Sequence, residues 1–199
     1  MNASLHTTAL PAASLTGRLE SAVYARRNVL AALPVMGAWL AMPRRLAPAA
    51  FALGAALVLA GSALRAWGTL YNRYAQGERK TLATGGPYSW LRNPLYLANT
   101  LVMLGGVAAS GFLAALPVAL LWCAGAYGLT IRHEERRLRE KYGAAYSHYC
   151  ARVGRWLPKA RGDAPQIPWR PCLAACSVQA RSLLILVPFL LRSAFDLGF

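Results

Sequence analysis

The run from Asn93 to Ile131, NPLYLANTLVMLGGVAASGFLAALPVALLWCAGAYGLTI, holds 39 residues without a single Lys, Arg, Asp or Glu. About 20 mostly apolar residues are enough to cross a hydrocarbon core of about 30 Å. The run is therefore too long for one spanning helix and long enough for two. Ser110-Gly111, near its middle, is a turn dipeptide, so the reading is a helical hairpin with spans at about 93–109 and 112–131. Upstream, residues 28–43 and 46–64 are also free of charge, which predicts two further spans at about 28–43 and 46–68. A shorter apolar segment, Ser182–Leu191, contains Pro188 and is closed by Arg192. It is expected to span with its flanks or to lie in the interface.

The fold class that follows is all-α: a polytopic membrane helical bundle of four to five transmembrane helices with a cytoplasmic helical C-terminal segment. Three parts are expected: a mobile tail over residues 1–27, a membrane core over 28–161, and a linker with the last apolar helix over 162–199. A secretory signal is the rival reading of the first span. Glu20 precedes it, and no small-residue cleavage site follows before Arg44-Arg45, so a retained anchor is expected. Hydrophobic residues make up 56% of the chain and the mean hydropathy is +0.33, values that a soluble domain of this size rarely reaches.

The net charge of +15 has an explanation within this topology. One side of the membrane receives Arg18, Arg26, Arg27, Arg73, Arg79 and Lys80. It also receives residues 132–161, where nine Lys and Arg stand against three Glu. The other side receives only Arg44 and Arg45. The positive-inside rule places the first group in the cytoplasm, with attraction to anionic lipid headgroups as a secondary effect. Basic residues so accounted for need no nucleic-acid partner. The Ala-, Leu- and Arg-rich composition points to a bacterial inner membrane. The partner expected from this patterning is the lipid bilayer; the oligomeric state is not legible. Cys123, Cys150, Cys172 and Cys176 form no disulfide framework in a reducing compartment, and Cys172 and Cys176 have no nearby His to complete a zinc set.

Gly54, Gly61 and Gly68 recur every seven residues in the second span, beside Ala55, Ser62 and Ala66. This small-residue stripe predicts close approach of another helix. At Gly68, near the cytoplasmic end, the same close approach is expected to have room for a ligand as well, and Arg65 is expected to snorkel to the interface. Residues 69–91 form a polar loop too long for a simple connection. It contains Thr84-Gly85-Gly86-Pro87-Tyr88 and leads into Arg92-Asn93-Pro94-Leu95-Tyr96, with Pro94 in a first helical turn. After Ile131 the fourth helix continues as Arg132–Tyr142, with Glu135 and Arg139 spaced to pair. Gly143 reads as a cap, and Ala144–Val153 as a second short helix carrying an aromatic stripe of Tyr142, Tyr146 and Tyr149.

Two clusters therefore meet. The Gly-rich turn and Arg92–Tyr96 open span three, Glu134 and Glu135 close span four, and the hairpin makes those ends neighbours. Charged groups this close to a span are costly and tend to be paired or functional.

At these positions the chain resembles the isoprenylcysteine carboxyl methyltransferases and the related phospholipid methyltransferases. The residues that carry the resemblance are Gly86, Tyr88, Ser89, Trp90, Arg92, Asn93, Pro94 and Tyr96. They continue with Glu134, Glu135, Leu138, Tyr142, Gly143, Tyr146, Tyr149, Val153 and Pro158. The likeness covers about residues 54–160, and Asn93 stands where that family usually has His. An Asn can donate and accept hydrogen bonds but does not titrate near neutral pH. The resemblance implies methyl transfer from S-adenosylmethionine in a pocket lined by the cytoplasmic ends, to a lipophilic small-molecule or lipid acceptor for which a carboxylate, a lipid amine, a phenolic lipid and a thiol all stay open. It implies a cofactor site of Lys80, Thr81, Leu82, Ala83, Tyr88, Asn93, Pro94, Leu95, Tyr96, Glu134 and Glu135, with Arg132 nominated to hold the acceptor and no metal. Methyl transfer to an ionised acceptor depends on alignment more than on acid–base help. Two alternatives stay open: an NADPH-dependent membrane reductase related to the sterol and steroid reductases, and a non-enzymatic membrane scaffold.

Overall fold

A computed structural model describes residues 15–41, 47–77 and 81–157, together with positions 184, 187, 188 and 191. Lys80, Cys172, Cys176 and six of the ten residues of the 182–191 segment lie outside the described residues. Within them the chain is helical: α1 (Leu15–Leu40), α2 (Pro48–Gly77), α3 (Pro94–Ala109) and α4 (Leu116–Arg152). A 3₁₀ turn at Gly86–Ser89 precedes α3 and another at Leu113–Ala115 precedes α4.

The expected hairpin is present. α3 ends at Ala109, Ser110 caps it, and Gly111 turns the chain at φ 78°. The Ser110 hydroxyl donates to the Val107 carbonyl and accepts from the Phe112 amide, so the turn keeps its polar groups occupied in apolar surroundings.

Among the described residues, two helical stretches are long and apolar enough to cross a membrane, Pro48–Arg73 and Leu113–Arg152. The four or five spans expected from charge spacing are thus matched by two that pass on length and composition. α3 has 16 residues, about 24 Å at the α-helical rise, short of a full core. α1 begins at Leu15 rather than near residue 28 and carries Arg18, Glu20, Arg26 and Arg27 in its first half. That half is helical where a mobile tail is expected, because Glu20 is buried and paired with Arg136 of α4.

Packing follows the small-residue stripe. α2 and α3 share the most extensive seam, and α1 packs on α4 and α3. A Cβ at Gly54 would stand 2.4 Å from the Ala109 nitrogen and 2.5 Å from the Gly105 oxygen, and one at Gly61 would stand 2.7 Å from the Ala98 oxygen. Backbones meet there because nothing lies between them. Gly68 instead faces the Leu95 and Pro87 side chains, so it admits protein rather than ligand. Two apolar clusters complete the bundle: Ala38, Val107 and Ala119 join α1, α3 and α4, while Tyr96, Met103, Cys123, Tyr127 and Ile131 join α3 and α4.

With 37 residues, α4 rises about 55 Å and must leave the hydrocarbon core. It breaks at Gly143, whose φ of 51° and ψ of −122° are not helical. The break turns Tyr146, Tyr149 and Val153 into a cluster under Leu82, Leu138 and Tyr142.

Candidate functional site

The mouth of the hairpin is built from the backbone upward. Asn93 stands at the N-cap of α3, and its carbonyl accepts the amides of Tyr96 and Leu97 at 3.2 and 3.3 Å. An N-cap Asn usually turns its side-chain oxygen onto the first-turn amides. Here it makes no such bond, and Nδ2 is buried without a partner. Arg92, one residue earlier, donates its backbone amide to the Gly154 carbonyl at 2.8 Å, beside a parallel bridge between Leu91 and Gly154. The Tyr149 hydroxyl donates to the Tyr88 carbonyl at 2.8 Å. The Gly-rich turn is thereby tied to the segment that follows α4.

Across the mouth, Glu134 accepts the Tyr96 hydroxyl on Oε1 at 2.8 Å, joining the start of α3 to α4. Glu135, one residue on, points away from this contact and is 1% exposed. Arg155 holds it through two bonds, Nε at 3.0 Å and Nη2 at 2.7 Å. Arg92 and Arg139 add ion pairs at 3.6 and 3.5 Å. A carboxylate so satisfied ties three segments together, and its removal would strand buried positive charge.

Between these elements lies a cleft of about 840 Å³. Its lining includes Tyr24 and Arg27 of α1, Arg65, Thr69 and Asn72 of α2, and Tyr88 before α3. Arg92 to Tyr96 and Asn99 form another wall, with Glu134, Arg137, Leu138, Glu140 and Lys141 facing them from α4. Glu134, Arg137, Leu138 and Lys141 fall at i, i+3, i+4 and i+7, one face of the helix, and Glu140 stands at its edge. Burial, first of all, raises the proton affinity of Glu134 above the ordinary carboxylate range; the Tyr96 hydroxyl and the charges of Arg27, His133 and Arg137 oppose it. The Tyr88 phenol is pushed up by burial and then by the Glu134 charge. With Arg27, Arg65, Arg92, Arg137 and Lys141 set against Glu134 and Glu140, the lining suits a ligand that carries both charges and hydrogen-bonding groups.

Of the residues expected at the site, Tyr88, Asn93, Pro94, Leu95, Tyr96 and Glu134 line this cleft. Glu135 does not; it serves the ion-pair hub. Thr81, Leu82 and Ala83 also stand outside the lining, with Leu82 packed on the Tyr146 cluster. Arg132 is exposed and faces away from the cleft, because it stands two residues before Glu134 and so on a different face of α4. Lys80 is outside the described residues. Sequence reasoning missed Tyr24 and Arg27, which stack with the guanidinium carbon 4.2 Å from the ring centroid. It also missed Asn99, Arg137 and the Arg155 clamp. Their one signal was polar character near an otherwise apolar helix end.

A family model for phospholipid methyltransferases matches residues 42–145. The chain belongs to the phospholipid methyltransferase family. This family falls in the isoprenylcysteine carboxyl methyltransferase-like group, in agreement with the resemblance carried by Gly86–Tyr96 and the Glu pair. The match spans α2, α3 and the first part of α4, including Asn93, Tyr96 and Glu134. A relative, the cobalt-zinc-cadmium resistance protein CzcN of Cupriavidus metallidurans, is 36% identical over 107 residues, which are 54% of this chain and 47% of that protein. The chain thus spans about half the length of that relative. No solved structure matches. Family membership, together with two helical stretches long and apolar enough to cross a membrane, places the chain among membrane-associated proteins of this family.

Proposed function

We propose that this membrane methyltransferase uses S-adenosylmethionine and acts on a lipophilic acceptor from a cleft facing the cytoplasm. The observation that carries this reading is the buried, unpartnered Nδ2 of Asn93 in the same cleft as the Glu134–Tyr96 pair. An orphaned donor and a half-occupied carboxylate are the two complementary groups that an amino acid head requires. The cleft, at about 840 Å³, is also within the range of small-molecule and cofactor sites.

In this reading the Asn93 amide donates to the cofactor's carboxylate. Glu134, oriented by Tyr96, receives its ammonium or a ribose hydroxyl on Oε2, and Tyr88 supplies an aromatic wall. When bound, the cofactor supplies a methyl group on a sulfonium, already activated for transfer. The chain's task is then to orient donor and acceptor and to exclude water. No side chain has to titrate for this, so Asn93 serves where the family usually has His. Glu135 acts through Arg92 and Arg155, as a positioning residue that holds the mouth closed around Asn93. The acceptor is expected to be lipophilic because the cleft runs from the polar half of α4 to Arg65 and Asn99, which lie in or beside apolar helical stretches.

The test is equilibrium binding of radiolabelled S-adenosylmethionine to the purified protein in neutral detergent, with NADPH as competitor. Saturable binding that NADPH leaves unchanged is expected. Incubation with membrane extract should then place label in the organic phase. Binding of NADPH in place of S-adenosylmethionine overturns the reading in favour of a reductase, and label confined to water-soluble products overturns the lipophilic acceptor.

A further inference from the structure

The deep end of the cleft contains a cation whose counter-charge is missing among the described residues. Arg65 belongs to the membrane-crossing part of α2, Pro48–Arg73. Its Nη1 donates to Asn99 Oδ1 at 2.9 Å, so the guanidinium is turned sideways onto α3 rather than snorkelling to the surface. Asn99 is five residues into α3 from Pro94, about 8 Å below the mouth at the α-helical rise. No carboxylate of the described residues lies within ion-pair distance of Arg65. An uncompensated charge at membrane depth is costly and marks a binding or transport position. Two polar neighbours stand near it. Thr69, one helical turn along α2, lines the same cleft, and the Tyr127 hydroxyl, within electrostatic reach of Arg65, is buried without a partner.

We propose that Arg65, held by Asn99, is an anion subsite in the floor of the cleft that anchors the methyl acceptor by an anionic oxygen group. Its chemistry suits a lipid phosphate or a lipid carboxylate. A guanidinium has five N–H donors in a planar fork; one is committed to Asn99, and the fork's remaining donors fit the two oxygens of such a group. The cleft then holds two subsites. Glu134 and Asn93 at the mouth take the zwitterionic head of the cofactor, and Arg65 below them takes the anionic end of the acceptor. Specificity then resides in α2 rather than in the exposed Arg132. Assigning the occupant as the acceptor rests on the methyltransferase reading, whereas the anion subsite does not.

The experiment uses the full chain in dodecyl maltoside micelles, doped in turn with dioleoyl phosphatidic acid, palmitate or dioleoylglycerol, and reads lipid binding directly. Both anionic lipids should bind about tenfold more tightly than the neutral one, the effect of one charge-assisted contact. Arg65→Met should abolish that preference, Arg65→Lys should retain part of it, and Asn99→Ala should weaken it with Arg65 in place. Labelled S-adenosylmethionine binding should be the same in wild type and Arg65→Met, which also reports that the variant is folded. A preference for phosphate over carboxylate, or the reverse, identifies the source of the anionic group and supports the subsite either way. Equal binding of all three lipids by wild type, or an anionic preference that survives Arg65→Met, overturns it. Failure of S-adenosylmethionine to bind wild type, with the anionic preference intact, overturns the cofactor reading alone.

Discussion

Glu134 and Glu135 are chain neighbours on one helix, yet they belong to different regions of the molecule. Glu134 opens into the cleft with one strong partner, the Tyr96 hydroxyl. Glu135 is sealed beneath the mouth and shared among Arg92, Arg139 and Arg155. A helical step of about 100° separates two faces, and that rotation divides the pair into one carboxylate available to a ligand and one committed to holding the structure. A charged pair next to a membrane thus divides its labour by facing, with no difference in residue type.

The comparison breaks or sharpens under substitution. The largest effect is expected at Glu135. Glu135→Ala strands the poorly exposed Arg92 and should cost about 3 kcal/mol, read as a lowered unfolding midpoint in detergent with activity lost in parallel. Glu134→Gln should leave that midpoint near wild type while weakening cofactor binding by about ten- to a hundredfold, the loss of a charge-assisted hydrogen bond. Equal destabilisation by both substitutions would erase the distinction drawn here.

A smaller effect concerns pH. Burial keeps the proton affinity of Glu134 raised, so acidification protonates it earlier than an ordinary carboxylate and removes the charge that meets a cationic head. Cofactor affinity should therefore fall as pH is lowered through that titration, and Glu134→Gln should flatten the profile. A wild-type binding curve independent of pH across the acid range would count against Glu134 as the cation's partner. The smallest effect is expected at Gly143, where a Cβ would meet nothing within 4 Å. Gly143→Ala should cost about 1–3 kcal/mol from the backbone strain alone, since φ 51° with ψ −122° lies outside the left-handed helical region, measured by thermal unfolding. A much larger loss would mean that the bend in α4 is coupled to the Glu135 hub.

Much of this architecture is legible in the chain itself. The uncharged run from Asn93 to Ile131 with Ser110-Gly111 inside it specifies a hairpin, because hydrocarbon excludes charge and a tight turn needs small residues. The glycine stripe in α2 specifies a close helical seam, and Gly143 specifies the break in α4; each is a local steric statement. The order of motifs also specifies the neighbourhood of Asn93, Tyr96 and Glu134. Other features are decided only when the helices are assembled. Glu20 and Arg136 lie far apart in the chain, and their pairing extends α1 into residues expected to be a tail. Which member of the Glu pair faces the cleft depends on the rotation of α4 about its axis, set by packing against α1 and α3. Arg132, Arg27 and Arg65 are alike in standing near the ends of the spans expected from charge spacing, and only tertiary contacts turn the first outward and the other two into the cleft. Periodicity and charge determine where helices are; the burial of each side chain against a partner from distant sequence determines what each helix does.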